Sequence, residues 1–218
     1  MVKMSHQSQV EPLAPVQVPT PVPSHWRDGL PLLTGARVEL RELHVEDAAP
    51  LAAALSSERV TRFLSPPPQT VEGFEAFIAY ANRQRQAGQY ACFAVVPLGS
   101  DTPIGLFQVR ALEPSFGTAE WGFAIASDYW GTGVFADGAR LLVAFAFQVL
   151  GVHRLEARAA VENERGNAAL RKIGAVMEGV LRRSFARNGE YLDQALWAIL
   201  RDEWPAVGVG AAGRVVLH

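Results

Sequence analysis

Arg37 to Leu43 reads R-V-E-L-R-E-L, alternating apolar and charged residues with the period of a half-buried strand. Asp47 then opens an alanine-rich helix to about Ser56, with Pro50 tolerated where the first turn has N–H groups to spare. Pro66-Pro67-Pro68 breaks the chain. Thr70, followed by Glu72 and Gly73, starts a second helix that runs to about Ala87 and stops at Gly88. Three strand-like runs follow at Tyr90–Val96, Pro103–Leu112 and Thr118–Ala126, with turn chemistry at Ser100-Asp101 and at 114–117. After them Val134, Gly138, Leu141, Leu142, Phe145 and Val149 recur at helical spacing, giving an amphipathic helix that ends near Leu150. His153–Val161 reads as a strand and Glu162–Lys172 as a short helix closed by Gly174. Val176–Ala186 and Tyr191–Leu200 are strands joined by Asn188-Gly189, a strong hairpin signal.

The predicted order is strand, two helices, three strands, helix, strand, helix, two strands. A strand–helix–strand unit makes a parallel pair through a right-handed crossover, so one parallel pair is expected inside a mostly antiparallel sheet. The fold class is therefore α+β (mixed α/β), a single layer of sheet flanked by helices. Residues 26–205 form the domain. Residues 1–25 are a proline-rich arm, with prolines at 12, 15, 19, 21 and 23, read as disordered or strapping; residues 206–218 are a loose tail.

Composition narrows the function classes. With 49% hydrophobic and 19% charged residues among 218, the chain can bury a sizeable core. A net charge of −2 gives no broad basic surface for nucleic acid. The single cysteine, Cys92, excludes an intrachain disulfide or a thiolate metal cluster, and its apolar setting points to a buried, inert thiol. No run approaches the roughly 18–20 apolar residues that span a bilayer, and the first ten residues lack the apolar core of a secretion signal. A cytoplasmic protein without membrane or metal is expected.

The candidate chemistry lies in Trp130-Gly131-Thr132-Gly133-Val134-Phe135, between a strand and a helix. Glycines there turn the backbone tightly, and the unpaired N–H groups of a helix start attract an anion such as phosphate. A dinucleotide fingerprint would need a third glycine at 136, where Ala stands, so an oxidoreductase is disfavoured.

The run 128–133 with its helix, followed by His153-Arg154-Leu155-Glu156-Ala157-Arg158, resembles the GNAT superfamily of acyl-CoA-dependent N-acyltransferases. Asn163-Glu164-Arg165-Gly166-Asn167, Lys172-Ile173-Gly174-Ala175, Glu178-Gly179-Val180-Leu181-Arg182 and Glu203-Trp204-Pro205 are similar to its RimJ/RimL branch, which acetylates protein N-terminal amines and some small amines. The resemblance covers about 32–205. It implies a sheet splayed between the fourth and fifth strands, with helices on both faces and acetyl-CoA as co-substrate. Its pantetheine arm would pair with the strand at Phe123, Ala124 and Ile125, and its pyrophosphate would meet the N–H groups of Gly131, Thr132, Gly133, Val134 and Phe135, with Trp130 also in the cofactor site. Asn163 and Asn167 match cofactor contacts, and Arg171 reaches toward a phosphate.

The resemblance makes Glu120 the general base, drawing the amine's proton through water, and places an oxyanion donor at a backbone N–H near Ala124. Phe135 is bulkier than the usual residue, and Leu170 stands where many members have the tyrosine that protonates the leaving thiolate. Both motivate an alternative, a non-catalytic acyl-CoA-binding module. Tyr129 and Tyr191 are further proton sources. His44 and His153 lack the partners of a nucleophilic triad, and Arg182, Arg183 and Arg187 read as a solvated basic edge. The amine acceptor (peptide N-terminus, polyamine or antibiotic amine) and a possible homodimer are left open.

Overall fold

The computed structural model describes residues 25–65 and 67–204; most of the proline-rich arm, Pro205 and the 206–218 tail lie outside them. The elements are β1 (Leu33–Thr34), β2 (Val38–Glu42), α1 (Ala48–Leu55), α2 (Glu58–Thr61), α3 (Val71–Gln86), β3 (Tyr90–Pro97), β4 (Gly105–Ala111), β5 (Thr118–Ile125), α4 (Val134–Gln148), β6 (Arg154–Ala160), α5 (Glu164–Lys172), β7 (Val176–Arg187) and β8 (Glu190–Leu200). The strands form one sheet in the order β1-β2-β3-β4-β5-β6-β8-β7, antiparallel except for β5 and β6. This is the expected single-layer α+β fold.

Local signals explain most boundaries. The Thr70 hydroxyl accepts from the Gly73 N–H at 3.1 Å, capping α3. Asn188 and Gly189 both have positive φ, as a tight hairpin turn requires. Strand alternation then gives the sheet two apolar faces. Phe93, Phe107 and Trp121 point to the face covered by α4, which contributes Leu142 and Phe145. Cys92, Ala94 and Leu106 point to the face covered by α1 and α3, which contribute Leu51, Phe74 and Ile78. Each fully buried Leu or Phe contributes roughly 1.5–3 kcal/mol.

Two elements escaped the sequence pattern. β1 spans two residues and α2 four, too short for either period to show. Because β1 comes first, the expected fourth and fifth strands are β5 and β6. These part early. Thr118–Glu120 pair with Arg154–Glu156, and pairing stops there. β5 remains paired with β4 as far as Ile125, and β6 with β8 as far as Ala160. A wedge therefore opens between Trp121–Ile125 and Ala157–Ala160. Gly105 lets β4 follow β5 along the wedge, since a Cβ there would collide with the Ala124 carbonyl oxygen.

Asp137, in the first turn of α4, fixes that helix to the far side of the sheet. Its carboxylate accepts the backbone N–H groups of Ala36 (3.2 Å), Arg37 (2.7 Å) and Val38 (3.1 Å). Hydrogen bonds to an ionised acceptor are worth about 1.5–3 kcal/mol each and overlap when they share one group. Asp137→Ala is expected to lower the unfolding free energy by about 2 kcal/mol, measured by urea denaturation; an unchanged midpoint would show the clamp to be idle.

Candidate active site

Two cavities meet at the wedge. The larger, about 1000 Å³, runs from Phe123, Ala124 and Ile125 past Trp130, Gly131 and Gly133 to α5. The smaller, about 460 Å³, lies over the α1/α3 face of β4 and β5 and holds Arg110, Glu120 and Arg158. Phe63, Leu64, Phe123, Ala124, Asn163 and Gly166 line both, so the two form a groove opening into a chamber.

The groove's floor is a strand edge with free hydrogen-bonding groups. Ala126 donates to the Ile104 carbonyl at 2.8 Å. Two-residue alternation therefore turns the N–H of Ala124 toward β4, and those of Phe123 and Ile125 toward the wedge. The N–H groups near Ala124 that face the wedge are therefore those of Phe123 and Ile125. The Ile125 carbonyl on that side accepts the Trp130 indole N–H at 2.9 Å.

Past the wedge, Gly131 (φ +79°) and Gly133 (φ +92°) take the left-handed conformations that the turn demands, and α4 begins at Val134. Its first-turn N–H groups lack intrahelical acceptors and sit at the positive end of the helix dipole. The Thr132 hydroxyl donates to the Tyr129 carbonyl at 2.7 Å, bracing the turn. Phe135 does not crowd it with an exposed ring. That ring packs on Phe123 (centroids 4.5 Å apart) and on Phe107 (6.0 Å).

Positive charge comes from residues that sequence reasoning passed over. Arg59 of α2 and Arg165 of α5 stand over the Trp130 ring at 5.3 and 4.4 Å, a cation–π arrangement that joins the two walls of the groove. Lys172 lines it too. Arg171 does not line it; its guanidinium lies over Trp197, 5.5 Å from the ring centroid. Helical phase decides this, since neighbouring positions on a helix face different ways. The asparagines also hold the fold. Asn163 caps α5 by accepting from the Gly166 N–H at 2.9 Å. Asn167 donates to the carbonyls of Ala160, Val161 and Asn163 and accepts from the Trp197 indole at 2.8 Å, so its amide is occupied by the protein.

In the chamber, Glu120 faces away from Trp121 as strand alternation requires, opposite Arg110 in register. Arg110 donates to its Oε2, and Arg158 stands 3.8 Å from its Oε1. Arg158 is also 3.9 Å from Glu156, which accepts from Arg154 at 2.8 Å, and Arg154 pairs with Glu178. Three arginines and three glutamates thus alternate across the sheet. Leu170 is fully buried and forms an apolar wall.

The remaining candidates separate cleanly. Tyr129 lines the groove, while Tyr191 is exposed. Arg187 donates to the carbonyls of Thr61 and Arg62, tying the last hairpin to α2. His44 and His153 are exposed. Burial pushes the Cys92 thiol up to about 12, against a weaker lowering by its Tyr90 hydrogen bond, so the thiolate nucleophile is absent at neutral pH. Among the described residues no cluster of His, Cys, Asp and Glu could hold a metal, and no helix is long and apolar enough to cross a membrane.

A family model described as an acetyltransferase (GNAT) domain matches residues 37–176, which include β2 to β6, the wedge, the glycine turn and α5. The chain belongs to this family. A relative, the uncharacterised N-acetyltransferase p20 of Bacillus licheniformis, is 27% identical over 169 residues, 77% of this chain and 95% of that protein. The crystal structure of a probable acetyltransferase, 26% identical, superposes with a TM-score of 0.73 over 81% of this chain and all of that one. Mycobacterium smegmatis RimJ, solved with CoA-disulfide, shares the GNAT fold (TM-score 0.71, 22% identity, 80% of this chain and 88% of that one).

Proposed function

We propose that this GNAT protein transfers an acetyl group from acetyl-CoA to a primary amine by direct attack, in the manner of the RimJ/RimL branch. The observation that carries the reading is the junction of groove and chamber: a strand edge with unused amides and an anion-binding helix start lead into a cavity holding one carboxylate. The residues fit the co-substrate. The N–H groups of 131–135 would hold the pyrophosphate, with Arg59, Arg165 and Lys172 adding charge. Ile125 would pair with the pantetheine arm. Asn163 and Asn167 would shape that wall through α5.

Acetyl-CoA, when bound, supplies a thioester: the amine's C–N bond forms as the C–S bond breaks, and CoA leaves as thiolate. Glu120 receives a proton from the acceptor's ammonium, directly or through water, because an amine of pKa about 8 to 10.4 is mostly protonated at pH 7. The wedge-facing N–H of Phe123 would stabilise the developing oxyanion, leaving that of Ile125 for the pantetheine arm. A thiol of pKa about 8.5 leaves without a donor, which suits Leu170 in the tyrosine's place and gives slower but real turnover. The non-catalytic reading loses one of its two supports, since Phe135 packs on Phe123. The 26–205 domain would act by itself, with residues 1–25 as an accessory arm.

Calorimetry with acetyl-CoA tests the groove. Wild-type protein is expected to bind, and Gly133→Val to bind about tenfold or more weakly. A β-branched residue at φ +92° costs about 1–3 kcal/mol, and its Cβ would press on Arg37 Nε at 3.1 Å. Absence of wild-type binding would end the proposal.

A further inference from the structure

The chamber's guanidinium donors are largely unspent. Both Glu120 oxygens face arginines. The Gln108 oxygen accepts from the Tyr90 hydroxyl and the Gln194 oxygen from Ser184. Against these, Arg158 donates no hydrogen bond among the described residues and touches its two glutamates only at 3.8 and 3.9 Å. Arg110 commits one guanidinium nitrogen to Glu120 and leaves the rest free. Of the charged groups in the lining, two are guanidiniums and one is a carboxylate.

A site with unspent donors and surplus positive charge selects a ligand that brings acceptors and negative charge, and disfavours a polycation. Much of the remaining lining is apolar, with Leu55, Phe63, Phe74, Phe77 and Phe185 among its walls beside Ser65, Gln108, Asn163 and Gln194. We infer that the amine acceptor is a small amino acid with an apolar side chain, its carboxylate held by Arg158 and Arg110. This deepens the acyl-transfer reading and rests on it.

The geometry couples recognition to chemistry. Arg158 stands on the β6 lip of the wedge, two residues beyond the last β5–β6 pair. A carboxylate that draws Arg158 to itself releases Oε1 of Glu120, the oxygen held only at 3.8 Å, to face the amine. The ammonium then gives one proton to Glu120, and the nitrogen's second proton, lost as the C–N bond forms and the C–S bond breaks, goes to the departing thiolate. The products are the N-acetyl amino acid, CoA thiol and one proton.

The test is an isosteric series of phenylalanine, phenylalaninamide and phenethylamine, with spermidine and a free-N-terminal peptide alongside, scored by kcat/KM from CoA thiol release. Phenylalanine is expected to exceed its amide by about 10- to 100-fold, the usual worth of a charge-assisted hydrogen-bond pair. Arg158→Gln removes most of that ratio, and Arg110→Gln part of it. Calorimetry without turnover gives a second readout: N-acetylphenylalanine binds more tightly than N-acetylphenylalaninamide, and Arg158→Gln equalises them. Unchanged acetyl-CoA binding by both variants shows that the fold and groove are intact. Equal or faster turnover of spermidine or the peptide, turnover of none of these amines, or a carboxylate preference surviving Arg158→Gln overturns the acceptor assignment alone. Failure of the wild-type protein to bind acetyl-CoA overturns the acyl-transfer reading as well.

Discussion

Glu120→Gln lowers kcat/KM for amine acetylation by about 10²–10³-fold, with acetyl-CoA affinity unchanged, and alters the pH–rate profile. Glutamine keeps the shape and the hydrogen-bond acceptor toward Arg110 but cannot receive a proton at neutral pH. Glu120 is the single carboxylate in the chamber lining. Glu156, its partner in the last β5–β6 pair, belongs to the same charge ladder without entering that lining. Glu156→Gln is therefore the matched control, expected to cost much less activity. Steady-state kinetics across pH decide the matter: an unaltered profile in Glu120→Gln means that the proton goes elsewhere.

Asp47→Asn is the largest stability change expected. Asp47 is 4% exposed, and its carboxylate receives both guanidinium nitrogens of Arg41, at 2.7 and 2.8 Å, and the His44 N–H at 2.8 Å. Burial pushes its carboxyl upward, but the Arg41 and His44 hydrogen bonds outweigh it and hold the group below its ordinary value. Removing one partner of a buried ion pair costs about 3–5 kcal/mol. The dependence on pH follows from the depressed native value. The stabilisation is complete above the unfolded carboxyl's pKa of about 3.9 and is lost as pH falls through the lower native value. Denaturant midpoints of wild type and variant should differ at pH 7 and converge in acid; a gap that persists in acid would place the cost in packing. Because the pair locks β2 to the start of α1, the same substitution loosens the chamber wall at Leu55.

What was legible in the sequence was local. Gly131 and Gly133 announced a left-handed turn ahead of a helix, Thr70 a cap and Asn188-Gly189 a hairpin, because each acts on its own few residues. Alternation also put Glu120 opposite Trp121. What was hidden came from partners far along the chain. Asp137 meets backbone about 100 residues away, and nothing in its helix marks it. Arg59 acts from a four-residue helix that shows no period, and it meets Arg165 only across Trp130. Asn167 matched a family position, yet its amide is taken up by Trp197 and three carbonyls, which depend on how β8 lies beside β6. Arg158 looked like one basic residue in a strand. Its significance comes from lying where β6 has just left β5.

The early parting of β5 and β6 also bears on how the sheet guards its edges. A strand margin with unsatisfied amides usually recruits other chains and seeds aggregates. Here that margin is interior, enclosed by β6 and α5 and with the Ile125 carbonyl already covered by Trp130. The outermost strand, β7, is poorly suited to templating: its register slips twice, between Met177 and Gly179 and between Leu181 and Phe185, and Arg182, Arg183 and Arg187 stud it with charge. The molecule keeps its sticky seam for a small visitor and shows its neighbours a blunt one.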